Sequence, residues 1–313
     1  MMIGIAISAL AGLFGIELLL RSWHHRSQVI AYDLHHYPYY RRPKNSRGKD
    51  IYYASRLGKK NTTAINIFSE GIRSDIAKEN RKIILALGCS VTEGASLPEE
   101  KTYPGLLQKF VDEKEYAVVN AGMGGYGIFQ IEAMLRDLIH YKPAAVIVQF
   151  IDFKRIPLNQ EKIKKTRKIL LFSQDLKKRS LLLWHLYKIV YGRSMSRIRS
   201  PYMIRGLSPE ALWEKNLPYL QSIHRLCSSK NIPLTFFVWP SKEPQWMDND
   251  FFQQKIKQFC RQQGINSFDG RETLHFYDEK ELHLPNDAHP SELANRLVAK
   301  EAYYCLKKQW ITS

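Results

Sequence analysis

Between residues 81 and 240, short apolar runs rich in β-branched residues alternate with longer stretches whose apolar positions recur at helical spacing. The runs at 82–87 (KIILAL), 116–120 (YAVVN), 144–150 (AAVIVQF) and 233–239 (PLTFFVW) are bounded by Gly, Pro or polar residues, and predict strands that are apolar on both faces. Helical periodicity covers 103–111, 128–141, 209–228, 251–263 and 292–307. Strands and helices in this order predict an α/β fold: a doubly wound, mostly parallel sheet of flavodoxin-like type with helices on both faces. Such sheets hold ligands beyond the carboxyl ends of their strands, so polar residues just after strands are the first candidates for chemistry.

The rhythm fails in three places. Residues 1–20 are almost continuously apolar, broken by Ser8, Glu17 and small Gly and Ala residues. About 20 apolar residues span a bilayer core. No Lys or Arg precedes Arg21, so the charged start of a cleavable signal is missing and a single-pass transmembrane anchor is expected. A buried helix is the alternative, since the Glu17 carboxylate is costly in lipid. Residues 21–80 are rich in Tyr, His, Arg and Lys without sustained period, and predict a basic stalk that passes into the domain edge, leaving 81–313 as the main domain. Within that domain, 153–206 is a basic helical insertion. Lys162, Lys164, Lys165, Arg167, Lys168, Lys177, Lys178 and Arg179 are followed by the apolar run SLLLWHLYKIVY at 180–191. Either a lid with a membrane-facing side or a helical pair with a solvated face fits this pattern.

Composition narrows the classes. A chain of 313 residues that is 44% hydrophobic and 25% charged can bury a sizeable core. The formal charge of +17 raises the question of nucleic acid. No nucleic-acid module or basic surface interleaved with stacking aromatics is recognisable, so none is expected as a partner, and anionic lipid headgroups suit the charge better. Cys89, Cys227, Cys260 and Cys305 form no C-x-x-C pair, which speaks against a zinc knuckle or a disulfide-dense scaffold.

Three polar clusters could carry chemistry. After the first predicted strand stands Gly88-Cys89-Ser90-Val91-Thr92-Glu93-Gly94. A serine at a strand-to-helix turn presents its hydroxyl above the sheet and its own N–H toward a developing oxyanion, although an ordinary glycine turn would look the same. Before the last predicted helix stands Pro285-Asn286-Asp287-Ala288-His289-Pro290. An imidazole can take the proton of a serine near neutral pH, and Asp287 could orient it; equally, the segment could be a polar loop in which Ser291 starts the helix. Between them lies Asn120-Ala121-Gly122-Met123-Gly124-Gly125-Tyr126-Gly127. Here Gly122, Gly124 and Gly127 fit the G-x-G-x-x-G dinucleotide pattern, with Asp152 as a ribose partner, and support an NAD(P)-binding oxidoreductase. That reading leaves the Ser90 and His289 clusters unused, whereas a hydrolase uses all three, with backbone N–H groups of the glycine loop completing an oxyanion hole.

In these residues the chain resembles the SGNH, or GDSL-like, hydrolases, from about Asn66 to Lys307 without the basic insertion. GCSVTEG looks like their first block, NAGMGGYG like the second and DAHPS like the last. Gly71-Ile72-Arg73 is similar to the Gly-Phe-Arg signature of membrane-anchored bacterial members. The resemblance implies esterase or acyltransferase activity on a carbohydrate or lipid ester, with no metal or organic cofactor. It assigns Ser90 as nucleophile, Asp287 and His289 as the rest of a triad, and the Ser90 and Gly125 N–H groups as oxyanion donors. It also implies an extracytoplasmic domain, against the basic residues Arg21, Arg26, Arg41, Arg42, Lys44, Arg47 and Lys49 behind the apolar run, which the positive-inside tendency would keep cytoplasmic. Three departures stand out. Cys89 replaces the usual Asp. Ile151, before Asp152, stands where the family has an oxyanion Asn, so that Gln149 or Asn159 would have to substitute or activity falls. One residue, not two, separates Asp287 from His289. The missing Asn also supports a second class, a non-catalytic SGNH-like binding module at the envelope.

Overall fold

The computed structural model describes residues 2–27, 32–53, 60–150, 155–157, 160–199, 206–239, 249–285, 287 and 289–312. Five parallel strands form the central sheet: β3 (Lys82–Gly88), β4 (Tyr116–Gly122), β5 (Ala145–Phe150), β6 (Leu234–Val238) and β7 (Asn266–Asp269). They lie in the order β4-β3-β5-β6-β7, the 2-1-3-4-5 order of the flavodoxin-like sheet, as the alternation of runs predicts. Strand β7 is the member that periodicity does not reveal. It is four residues long, NSFD, too short and polar to show as an apolar run.

Alternate residues of β3 feed two cores. Ile83, Leu85 and Leu87 pack with α4 (Ile128–Leu138), α7 (Pro209–Ser228) and α8 (Asn249–Gln263) on one face. On the other face Ile84 and Ala86 pack with α3 (Tyr103–Leu107) and α11 (Glu292–Thr312). This two-sided burial is why the strands read as continuous apolar runs. Helix α7 starts where the sequence predicts, with Ser208 accepting a hydrogen bond from the Ala211 N–H as its N-cap.

The segment expected as stalk and domain edge holds an antiparallel hairpin, β1 (Ser46–Tyr53) with β2 (Lys60–Ile67), and a strap over 32–42 that is built into the domain. Tyr37, Tyr40, Arg42, Ile72 and Arg73 are buried. The insertion is a helical pair, α5 (Gln160–Arg179) and α6 (Leu181–Arg199), joined through Ser180. Between the β3 turn and the insertion lie α2 (Ser90–Glu93) and the strands already given; α9 (Gly270–Leu274) and α10 (Glu279–Leu282) follow β7.

Helix α1 (Met2–Ser27) covers the expected anchor. Among the described residues no helix is long and apolar enough to cross a membrane, and the side chains of 1–7 and 9 lie outside the described set. The described apolar residues Leu10, Leu13, Phe14, Leu18 and Leu19 are exposed. Glu17 is not a bare carboxylate: it accepts hydrogen bonds from Ser180 Oγ (3.0 Å), Leu181 N (3.0 Å) and Leu182 N (2.8 Å), and pairs with Arg21 at 2.6 Å. Arg21 in turn donates to the Arg179 carbonyl at 2.6 Å. One carboxylate thus caps the start of α6 and one guanidinium the end of α5, each sign matching the helix end it meets.

Candidate active site

Ser90 is the first residue of α2, a four-residue helix that leaves the carboxyl end of β3. Gly122, at the end of β4, makes this turn possible. A Cβ there would sit 2.1 Å from the Glu93 backbone nitrogen, so only glycine lets α2 lie on the neighbouring strand. The turn is braced from below by Gln149 of β5, whose Oε1 accepts from Thr92 Oγ1 at 2.9 Å and Cys89 Sγ at 3.5 Å. It is braced from the side by Arg73, which donates to the carbonyls of Glu93 (2.6 Å), Gly94 (3.1 Å) and Leu97 (3.0 Å) and pairs with Glu99 at 2.7 Å. Arg73 of the Gly-Ile-Arg segment is therefore a fastener of the Ser90 turn.

From the far end of the chain, the loop before α11 brings His289 to the same point. His289 Nε2 lies 2.9 Å from Ser90 Oγ, and Nδ1 lies 2.7 Å from Asp287 Oδ1. With Nδ1–H facing the carboxylate, the lone pair on Nε2 faces the hydroxyl. Asp287 Oδ1 also accepts the His289 backbone N–H at 3.1 Å, so carboxylate and ring are locked in one tight turn, and an Asp-x-His spacing of a single intervening residue suffices. Ser291 caps α11 as well, accepting from the Ala294 N–H at 3.3 Å, so the loop that carries His289 to Ser90 also starts the helix.

The glycine loop after β4 stands beside the Ser90 turn, tied by the Met123 N–H to the Gly88 carbonyl at 3.0 Å. Beneath it lies a buried ion pair that periodicity does not reveal: Glu93 and Arg42, 2.9 Å apart, with side chains 1% and 3% exposed. Glu93 Oε2 accepts from the Gly124 N–H at 2.7 Å and from Tyr32 Oη at 3.1 Å, and the Arg42 guanidinium stacks 4.1 Å from the Tyr32 ring centroid. Tyr40 Oη donates to the Gly124 carbonyl at 2.9 Å. Gly125 itself is left-handed, φ +84°, and a Cβ there would meet Tyr40 Oη at 2.6 Å. Gly125→Ala is expected to cost about 1–2 kcal/mol from the left-handed backbone alone, read as the midpoint of urea unfolding, with an unchanged midpoint counting against the geometry.

The dinucleotide reading meets occupied space: a Cβ at Gly127 would lie 2.6 Å from Arg155 Cβ, the Gly127 N–H is taken by Gln130 Oε1, and the Gly124 N–H by Glu93. These glycines admit the chain's own backbone and side chains, and two of the loop's N–H donors, those of Gly124 and Gly127, are already engaged within the chain. Asp152, its ribose partner, and Ile151 and Asn159 lie outside the described residues. Cys89 is buried, and burial pushes its thiol up, the opposite of what a nucleophilic thiolate needs.

No protein-family model matches the chain, and no curated protein matches it. Solved structures similar to it include a psychrotrophic esterase EstA from Pseudoalteromonas sp., 16% identical, covering 74% of this chain and 100% of that one with a TM-score of 0.46. A lipase/acylhydrolase from Enterococcus faecalis is 15% identical, covering 71% of this chain and 96% of that one with a TM-score of 0.44. A member of the lipolytic G-D-S-L family from Veillonella parvula is 12% identical, covering 71% and 97% with a TM-score of 0.45.

Proposed function

We propose that the chain is a serine hydrolase of the SGNH type that cleaves or transfers an ester-linked acyl group of a carbohydrate or lipid. One observation carries this reading: a hydroxyl 2.9 Å from an imidazole nitrogen whose opposite nitrogen meets a carboxylate at 2.7 Å, all beyond the carboxyl edge of a parallel sheet. Ser90 Oγ attacks the ester carbonyl while His289 Nε2 takes its proton, and Asp287 holds the ring and stabilises the imidazolium. The N–H groups of Ser90 and Gly125 hold the oxyanion. Collapse breaks the ester bond, His289 protonates the departing alcohol, and an acyl-serine remains. Water or a sugar hydroxyl, deprotonated by His289, then takes the acyl group and restores Ser90.

Helix α1, with its exposed leucines and Phe14, is the tether of this hydrolase to a membrane. The full chain in detergent is expected to turn over p-nitrophenyl acetate. Asp287→Asn, which leaves His289 free to take the wrong tautomer, is expected to lower kcat by up to ~10⁴-fold. A chain with no turnover and no labelling by a fluorophosphonate would instead be the non-catalytic binding module.

A further inference from the structure

The strap over 32–42 does more than fill space beside the site. It carries Tyr32, Tyr40 and Arg42, and all three converge on two groups, the Glu93 carboxylate and the peptide units on either side of Gly124. A peptide is planar and trans, so the Gly124 carbonyl and the Gly125 N–H belong to one rigid plate and point in opposite directions. Tyr40 Oη, donating to the Gly124 carbonyl at 2.9 Å, therefore fixes where the Gly125 N–H points. The preceding plate is held through the Gly124 N–H, which donates to Glu93 Oε2 at 2.7 Å. Two consecutive glycines have no side chains to stiffen them, so the orientation of this loop must come from such outside contacts.

Electrostatics requires the third member. A bare Glu93 carboxylate under a loop that gathers developing negative charge would oppose that charge. Arg42, paired with Glu93 at 2.9 Å in a buried setting, neutralises it. The Tyr32 and Gly124 donors then complete the coordination of Oε2.

On the esterase reading above, we propose that Tyr40 is a positioning residue for the oxyanion hole, aiming the Gly125 N–H through the Gly124 carbonyl, with Glu93 and Arg42 holding the adjoining peptide. The donor array is then assembled by a segment of the same chain some 50 residues ahead of the nucleophile (Tyr40 to Ser90). A mis-aimed donor weakens transition-state binding and leaves ground-state binding alone, so the loss belongs in kcat and not in KM.

The test uses the full chain in detergent, with p-nitrophenyl acetate turnover, burst titration of active sites, a thermal melt, and inhibition by a boronic acid that forms a tetrahedral serine adduct. Tyr40→Phe keeps the ring and removes only the hydroxyl. It is expected to lower kcat per titrated site about tenfold or more, to leave KM within about twofold, and to weaken the boronic acid by the same factor as kcat. Tyr37→Phe removes a hydroxyl from the same strap without a bond to Gly124, and is expected to leave kcat within about twofold. The proposal is overturned if Tyr40→Phe keeps its kcat per titrated site, whether the total activity is unchanged or falls only with the titrated fraction and the melting temperature. It is likewise overturned if the boronic acid binds Tyr40→Phe as it binds the parent chain. Should Ser90→Ala turn over ester like the parent, the esterase reading itself fails, a result separate from any of these.

Discussion

Ser90→Ala is expected to abolish ester turnover and fluorophosphonate labelling while leaving the melt of the protein in place. Ser90 Oγ lies 2.9 Å from His289 Nε2, and the turn that presents it is held by backbone and by Arg73, Gln149 and Gly122. Removing the hydroxyl therefore deletes the nucleophile and leaves the brace intact. When members of a triad act as a unit, loss of the nucleophile costs about as much as loss of the whole, on the order of 10⁶ in kcat, so residual turnover above ~10⁻³ of the parent would contradict the assignment. Two controls sharpen the reading. His289→Ala should match Ser90→Ala within an order of magnitude, and the double variant should be no worse than either. Iodoacetamide should leave the activity of the folded chain unchanged, because Cys89, Cys227 and Cys260 are buried free thiols and the half-buried Cys305 stands well along α11, past the loop that carries His289.

Arg42→Ala is expected to be the most destabilising single change in the strap, at about 3–5 kcal/mol, measured by urea unfolding of the full chain. The magnitude follows from what is left behind. Glu93, 1% exposed and paired with Arg42, would lose the guanidinium that balances its charge and keep, among the described residues, the Tyr32 hydroxyl and the Gly124 N–H as donors to its carboxylate. The stacking of the guanidinium on the Tyr32 ring would be lost with it. A paired apolar replacement, which often rescues a buried ion pair, should fail to rescue here, because the Gly124 N–H would then face an apolar group. A loss below ~1 kcal/mol for Arg42→Ala would mean that the pair is solvated and that the strap is a loose cover.

The sheet is legible in the sequence to the extent that its strands are buried on both sides. The runs KIILAL, YAVVN, AAVIVQF and PLTFFVW coincide with β3 to β6, since such burial leaves no polar face to interrupt them. Edge strand β7 and the hairpin β1–β2 escape for the converse reason: NSFD and SRGKDIYY mix charge and amide with few apolar positions. Ser90, Asp287 and His289 are legible as candidates because Ser90 directly follows a predicted strand, and Asp287 and His289 directly precede a predicted helix, at the edge where this architecture places its sites. Glu93, Arg42 and Tyr40 are not. Glu93 stands inside the quoted heptapeptide with no role assigned, and Arg42 and Tyr40 fall in a stretch whose Tyr, His, Arg and Lys content reads as a basic stalk passing into the domain edge. What marks them is mutual pairing across 51 positions for Arg42 with Glu93 and 84 for Tyr40 with Gly124, and no local period encodes a partner that far away.

The grip of Glu17 and Arg21 on the Ser180 junction makes α1 the hinge pin of the helical insertion. A foreign segment of equal length and greasiness, spliced in place of α1 without that acid and base, would leave the first amides of one helix and the last carbonyls of another facing nothing of the right sign. At ~1 kcal/mol for each lost cap, the two-helix insertion would loosen at its bend. The identity of the leading helix is thus written into the helical insertion, and α1 cannot be exchanged at will for another apolar helix.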